Sequence, residues 1–318
     1  MANQIKQGNS IIKGPLLALA GYVVFSSHDV ILKVLGSDYS IFQIIFFAML
    51  FSYVPFSMAR VLDSGHSSIR AKNLKLVLFR SFLMVGSLVS AFLAFSMLPL
   101  VDVYVLLFTT PLIISVMAIL FLNEKVYFFR WFSILLGLIG IIIVLRPTTH
   151  SINIGHLLGL SAAFCGAGSA IISRKIGNSE STATLIIYPL ITTIFVTGCI
   201  LPFVYKTMPI EDLGLMFLIG VLAQVGQLFI LFAYRISNAA YVAPMQYSQI
   251  IWAIIFGSLF FNESIDQWVI IGSTITILSG LLILWREAKT SKNRPNLRTR
   301  NTRMVSSASA PVRDTSND

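Results

Sequence analysis

The chain has 318 residues, of which 56% are hydrophobic and only 11% are charged, and its formal net charge is +10. A soluble globular domain carries about 25% charged residues, so this composition excludes an ordinary soluble protein. Apolar runs of spanning length recur between Gly14 and Trp285, which predicts an all-α protein that crosses a lipid bilayer repeatedly. The positive charge then needs no nucleic-acid partner, because the topology accounts for it.

Ten spans are predicted, and the links between them are short. In chain order the spans cover residues 14–34, 40–58, 75–97, 101–122, 128–146, 155–173, 182–204, 212–234, 239–261 and 267–285. The first run has no small-residue cleavage pattern at its end, so we expect a retained span and not a signal peptide. Both cysteines, Cys165 and Cys199, lie inside apolar runs, so no disulfide framework or metal motif is expected.

The distribution of basic residues predicts the orientation. With the N-terminus in the cytoplasm, 19 Lys and Arg residues fall on the cytoplasmic side and three on the outer side, while Arg80 lies within a span. This asymmetry satisfies the positive-inside rule. We therefore expect an inner (plasma) membrane protein with both termini in the cytoplasm.

The chain contains an internal duplication. Four residues at a polar corner recur 139 positions later: Leu120, Phe121, Asn123 and Glu124 match Leu259, Phe260, Asn262 and Glu263. Each half holds five spans, an odd number, so the two halves must be inverted relative to each other, a recurring transporter plan. The predicted segments are a cytoplasmic N-terminus (1–13), a first repeat (14–147), a second repeat (148–286) and a disordered basic cytoplasmic tail (287–318).

This layout resembles the drug/metabolite transporter superfamily, EamA-type. The residues that carry the resemblance are Pro99, Pro111, Phe121-Leu122-Asn123-Glu124, Arg130-Trp131, Gly137-Leu138-Ile139-Gly140, Arg146-Pro147 and the repeated corner at Glu263. A second group is similar to the branch that includes S-adenosylmethionine carriers: Ser26-Ser27-His28-Asp29-Val30, Lys33, Leu35-Gly36 and Arg80. The resemblance implies a transporter built from two inverted EamA-like repeats of five helices.

Ionisable residues inside spans are functional candidates, because a charge in the membrane is costly. Asp29 either binds substrate or a proton, or it pairs with Lys33 four residues later on the same helix face. His28 either moves protons or is a hydrogen-bonded structural histidine. Arg80 either contacts a substrate carboxylate or extends its charged end to the inner surface. Asp29 aligns with Ala170 in the second repeat, so the acid is not part of the shared framework.

Polar and aromatic side chains in the spans are the remaining candidates. They are Tyr104 and Phe108 in the fourth span, Gln224 in the eighth, and Gln246 and Tyr247 in the ninth. Amides and phenols hydrogen-bond a polar solute without a buried charge, and rings stack on flat or cationic groups. The alternative role is hydrogen bonding between helices. Glu124 and Glu263 recur in both halves, so we expect them to orient short turns.

These features favour a secondary carrier that moves a small polar metabolite by alternating access. An amino-acid-like zwitterion or an organic ion such as S-adenosylmethionine would suit Asp29 and Arg80, with proton or exchange coupling. The chain contains no GxxxxGK[ST] loop, so ATP drive by this chain is not expected. A membrane-embedded enzyme and a passive channel are the alternatives. No cofactor is expected, and the protein is predicted to act as a monomer or homodimer.

Overall fold

The structure is a computed structural model that describes residues 2–62, 70–122, 128–145, 153–176, 179–237, 242–263 and 266–292. These residues form eleven α-helices: α1 (Ala2–Leu35), α2 (Ile41–Leu62), α3 (Leu74–Met97), α4 (Leu100–Leu107), α5 (Thr110–Leu122), α6 (Phe128–Leu145), α7 (Ile154–Ile176), α8 (Thr182–Val204), α9 (Ile210–Ile236), α10 (Ser248–Phe261) and α11 (Gln267–Lys292). A 3₁₀ turn, Ala243–Tyr247, precedes α10. No strand occurs in these ranges.

Within the described ranges, six apolar helical segments have the length and composition needed to cross a membrane. They are Lys13–Leu35, Leu74–Met97, Leu100–Phe121, Ile154–Ile176, Ala183–Val204 and Ile210–Tyr234, and shorter apolar helices cover Ile41–Tyr53, Trp131–Val144 and Gln267–Leu282. Helix α1 begins at Ala2, well before the predicted start of the first span. Helix α11 continues to Lys292, so the predicted disorder is wrong for residues 287–292, where the helix simply continues. Residues 293–318 of the predicted tail and the corner Asn123-Glu124-Lys125 lie outside the described residues.

The predicted fourth span is a broken helix made of α4 and α5. The break lies at Phe108 and Thr109, just before Pro111. Because proline has no N–H, the Leu107 carbonyl loses its helical partner, and the Thr110 hydroxyl donates to it instead at 2.5 Å. The 3₁₀ turn before α10 ends at Tyr247, which is the repeat equivalent of Phe108 at the offset of 139. The α-helices that begin at Thr110 and at Ser248 therefore start within one residue of equivalent positions in the two repeats.

The tightest helix packing joins helices of different repeats. Helix α1 packs along α9, α3 along α7, and α6 along α11. Glycines allow this approach: a Cβ added at Gly21 of α1 would lie 3.0 Å from the Gly226 carbonyl oxygen of α9, and one at Gly140 of α6 would lie 2.8 Å from the Gly272 carbonyl oxygen of α11. Small residues at helix crossings let backbones pack closely inside membranes. The two repeats are consequently interleaved.

Contacts between loops and helix ends lie at two opposite ends of the bundle. One end, the Lys33 face, holds the Lys33–Glu263 ion pair at 2.5 Å and the hydrogen bond from the Tyr39 hydroxyl to Asp212. Asn262 ends α10 in a left-handed conformation with φ of 50°, which turns Glu263 back over the helix end. At the other end, the Glu180 face, the backbone N–H groups of residues 72 and 73 donate to the Glu180 carboxylate at 3.0 and 2.6 Å.

Candidate functional site

Four polar residues, which we call the Asp29 cluster, meet between α1 and α4: Ser26, His28, Asp29 and Tyr104. Asp29 is only 7% exposed, although its carboxylate belongs to a helix that crosses the membrane. The Nδ1 atom of His28 lies 2.8 Å from Oδ1 of Asp29, and the Tyr104 hydroxyl donates to Oδ2. The Tyr104 oxygen also lies 3.3 Å from Oγ of Ser26. Asp29 lies six residues before the end of α1, which is about 9 Å from the Lys33 face.

A row of aromatic rings extends from this cluster toward the second repeat. The rings of Tyr104 and Phe108 are stacked with centroids 6.2 Å apart, and Phe108 meets Tyr247 edge-on at 5.0 Å. Phe95 packs edge-on against the other side of Tyr104 at 5.4 Å. Tyr247 occupies space over Gly280, where an added Cβ would overlap its hydroxyl. The row thus connects α3 and α4 of the first repeat with α10 and α11 of the second.

The structure brings together five of the predicted site residues. These are His28, Asp29, Tyr104, Phe108 and Tyr247. In the described part of the chain, Gln224 and Gln246 form no hydrogen bond with the Asp29 cluster. Gln224 lies one turn after Gly220, on the side of α9 that approaches Ala48 of α2.

Two polar side chains of the site, those of Ser26 and Gln249, were not among the site residues predicted from the sequence. Ser26 belongs to the Asp29 cluster, and the Gln249 side chain approaches the Tyr104 hydroxyl from α10. Helical spacing on α1 contained a signal for Ser26, which lies three residues before Asp29 on the same face.

The predicted pairing of Asp29 with Lys33 does not occur. Lys33 donates instead to Oε1 of Glu263 at 2.5 Å and to the Leu98 carbonyl at 2.6 Å. Oε2 of Glu263 accepts a hydrogen bond from the Leu100 N–H at 3.1 Å. The i, i+4 spacing was correct for a shared helix face, but Glu263 and a backbone carbonyl are nearer partners. Glu263 therefore does more than orient its own turn.

Arg80 is buried, with 4% of its surface exposed, so the alternative in which its charged end extends to the membrane surface does not occur. Its Nε donates to Oγ of Ser173 on α7 at 2.5 Å, and its Nη1 donates to the Leu185 carbonyl of α8 at 2.8 Å. That carbonyl lacks a helical partner because Pro189, four residues later, has no N–H. Arg80 also lies 12 residues before Phe92, whose ring contacts His28 at 5.7 Å. At 1.5 Å per residue, Arg80 lies about 18 Å along α3 from Phe92, which marks the level of the Asp29 cluster.

Comparison with protein families matches residues 12–146 and 153–285, each half separately, to the EamA-like transporter family. The chain belongs to the EamA-like transporter family. This EamA-like transporter is a multi-pass membrane protein with the two-repeat architecture predicted from its duplication, and it is a transporter and not an enzyme.

Several relatives of this EamA-like transporter are named for the compound that they transport. An S-adenosylmethionine uptake transporter of Rickettsia conorii is 28% identical and aligns over 85% of this chain and 92% of its own length. A riboflavin transporter of Vibrio cholerae is 30% identical over 60% of this chain and 65% of its own. A pseudopaline exporter of Pseudomonas aeruginosa is 25% identical over 84% and 94%. A crystal structure of a protein with 14% identity aligns over 87% of this chain and 98% of its own with a TM-score of 0.60, so the two share a fold.

Two buried hydroxyls beside the helix breaks of this EamA-like transporter have no hydrogen-bond partner among the described residues. They belong to Thr109, which follows Phe108, and to Ser248, which follows Tyr247. A buried polar atom without a partner is costly, so each hydroxyl is available to a polar ligand. Within the same ranges, no three His, Cys, Asp or Glu side chains lie close enough to hold a metal ion.

Proposed function

We propose that this EamA-like transporter is a secondary carrier for a small organic cation or zwitterion, and that Asp29 receives the positively charged group. The observation that carries this proposal is the burial of the Asp29 carboxylate beside Tyr104 and His28, where helices of both repeats meet. Transporters built from inverted repeats bind substrate at the repeat interface, and alternating access then exposes the site to each side in turn.

The charge of Asp29 has no permanently positive partner among the described residues. Its hydrogen-bonding neighbours are a phenol and an imidazole, and Lys33 is engaged by Glu263. A buried carboxylate is stabilised most by a cation, so a substrate cation would complete the site. The faces of the adjoining rings would attract such a cation and stack on a flat group attached to it.

The named relatives support two candidate substrates. An S-adenosylmethionine uptake transporter aligned over most of the chain supports a sulfonium zwitterion with a flat heterocycle as the first candidate. Such a molecule offers a cation for Asp29 and a ring for the Tyr104–Phe108 stack. The riboflavin transporter among the relatives supports riboflavin as a second flat probe, one without the cation.

His28 provides a route for coupling to protons or to exchange. Nδ1 of His28 is in contact with the Asp29 carboxylate, so the two side chains can pass a proton between them. A substrate cation bound to Asp29 would compete with that proton for the carboxylate. Proton release on binding and uptake on dissociation would couple the two fluxes.

The topology is part of the proposal. Ten spans, with α4 and α5 together forming the fourth, place both termini on the same side of the inner membrane. The positive-inside rule then assigns the Lys33 face to the outside and the Glu180 face to the cytoplasm.

The test is uptake and counterflow in reconstituted proteoliposomes, using labelled S-adenosylmethionine, amino acids and riboflavin, with and without a pH gradient. We expect saturable uptake of a cationic or zwitterionic probe and trans-stimulation by the unlabelled compound. Asp29→Asn should reduce kcat/KM about 10- to 100-fold, because a hydrogen bond to a charged group is worth about 1.5–3 kcal/mol. Asp38→Asn, the same change at an exposed position, should stay within about twofold because exposed charges contribute little.

Three outcomes would contradict the proposal. Normal transport by Asp29→Asn would remove Asp29 from the site. Flux that rises linearly with concentration, without counterflow, would indicate a channel. Absence of protein-dependent flux for every probe would reject this substrate class.

A further inference from the structure

The buried charge of Arg80 is unexplained by the fold. Among the described residues, the guanidinium hydrogen-bonds only to neutral groups, the Ser173 hydroxyl and the Leu185 carbonyl. An uncharged donor such as glutamine could hydrogen-bond both, so holding α3 against α7 and α8 does not require a cation. Arginine stays protonated under physiological conditions, and a buried charge is normally paired.

Neighbouring acids do not supply the missing negative charge. Among the described residues, neither ion pair, His28–Asp29 or Lys33–Glu263, involves Arg80, and no carboxylate reaches its guanidinium. The nearby buried acid, Glu180, is occupied by the two backbone N–H groups that begin α3. Surface water compensates this charge only in small part, since 4% of the residue is exposed.

The Arg80 guanidinium has N–H donors beyond the two that contact Ser173 and Leu185. Arginine carries five N–H groups in a planar fork that matches a carboxylate. Two of these groups serve Ser173 and Leu185, and the third nitrogen, Nη2, has no hydrogen-bond partner in the described part of the chain. The two neutral contacts fix the plane of the fork, so a carboxylate would meet donors that are already oriented.

We propose that Arg80 is a second binding station, which takes the carboxylate of the transported substrate near the Glu180 face. The proposal rests on the proposed function of the chain as a carrier of organic ions, and it specifies the substrate class as one that bears a carboxylate. Arg80 lies six residues into α3, about 9 Å from the Glu180 face, whereas Asp29 lies about 9 Å from the Lys33 face.

The separation of about 18 Å along α3 decides how the two stations work. The amino and carboxylate groups of an α-amino acid are joined by two bonds, so such a substrate cannot touch Asp29 and Arg80 at once. The substrate cation would bind Asp29 and its carboxylate would bind Arg80 at different stages of transport. Each station is therefore selective for one end of the zwitterion.

The experiment compares two probes that differ only in the carboxylate: S-adenosylmethionine and its decarboxylated amine. Binding to purified full-length protein and uptake into proteoliposomes are measured for the wild type, Arg80→Gln and Arg80→Lys. We expect the wild type to prefer the carboxylate probe, and Arg80→Gln to weaken its binding about 10- to 100-fold while leaving the amine unchanged. Arg80→Lys keeps the charge but loses the fork, so its loss should be intermediate.

Lys75→Gln is the matched control, because it removes a positive charge from an exposed position of the same helix and should bind both probes as the wild type does. Asp29→Asn should weaken both probes, since both carry the cation. If Arg80→Gln folds poorly, Ser173→Ala tests the same point: by releasing Nε it should reduce the preference for the carboxylate probe.

The outcomes separate the two proposals. Equal binding of both probes by the wild type, or an equal loss of both in Arg80→Gln, would overturn the Arg80 station while leaving the carrier intact. Loss of the preference in Arg80→Gln alone would establish the station. If the wild type binds and transports neither probe, this substrate class is rejected and the Arg80 proposal is rejected with it.

Discussion

The ion pair between Lys33 and Glu263 should hold the Lys33 face closed. It joins the end of α1 to the connection between α10 and α11, and both partners also bind the connection between α3 and α4 through Leu98 and Leu100. The side chains retain only 14% and 15% exposure. Removing one partner of a buried pair costs about 3–5 kcal/mol, so we expect about 2–3 kcal/mol for this partly hydrated pair. Each 1.4 kcal/mol is tenfold in an equilibrium constant, so opening of this face should become about 30- to 100-fold more favourable.

The assay measures thiol labelling at this face. In a background lacking Cys165 and Cys199, a cysteine at Val101 would report opening, because Val101 is buried and lines a small cavity beside Glu263. Labelling by a charged, membrane-impermeant reagent should accelerate at least tenfold in Glu263→Gln and in Lys33→Met. The double variant should be little worse than either single variant, because the second substitution removes a charge that has already lost its partner.

Lys206→Met provides the control at the same face, because Lys206 is exposed and its loss should cost less than about 1 kcal/mol. Unchanged labelling in both single variants would refute the reasoning, as would a coupling energy below about 0.5 kcal/mol in the double-mutant cycle.

Three further predictions concern stability and the aromatic row. Gly220→Ala should destabilise the protein, because its Cβ would lie 2.6 Å from a backbone carbonyl oxygen of α2. Gly214→Ala, whose Cβ would have no atom within 4 Å, should be neutral or stabilising by up to about 1 kcal/mol. Thermal melting in detergent compares the two variants, and equal melting temperatures would contradict the close packing at Gly220. The pKa of Tyr39 is raised to about 12, above its usual value near 10, and the hydrogen bond to Asp212 is the largest cause. The stabilising contribution of this hydrogen bond is therefore present below pH 10 and is lost as pH rises toward 12. Tyr39→Phe should flatten the decline in melting temperature over that range, and an unchanged slope would count against this prediction. Gly280→Ala should displace the Tyr247 ring and raise the KM for transport, and adding Tyr247→Leu should restore folding but not affinity; normal KM in Gly280→Ala would argue against a role for the ring.

The sequence revealed the parts of the site that depend on local periodicity. Tyr104 and Phe108 are four residues apart, a spacing that puts both on one helix face, and their rings are stacked. Asp29 and His28 were identified because charges are rare in spans, and the structure brings them into contact. Both predictions rest on properties of a single helix: the spacing of its residues and the cost of placing a charge in the membrane.

Contacts between distant segments could not be predicted in this way. Lys33 shares a helix face with Asp29, yet its partner lies 230 residues away in the other repeat. The burial of Arg80 depends on α7 and α8, and on a carbonyl that Pro189 leaves without a partner. No pattern within α3 records these neighbours, so the single sequence left burial and extension to the surface equally open.

The interleaving of the two halves has a consequence for how the fold arose and how it moves. Helices α1 and α9 touch through Gly21 and Gly226 at a distance that leaves little room for sliding, so they move as one body although each belongs to a different repeat. The same holds for α6 with α11, where a Cβ added at Gly140 would lie 2.8 Å from the Gly272 carbonyl oxygen. A single repeat would leave these glycine-lined faces uncovered, and the other repeat covers them. The duplication that produced the two halves therefore also produced the surfaces that bury them.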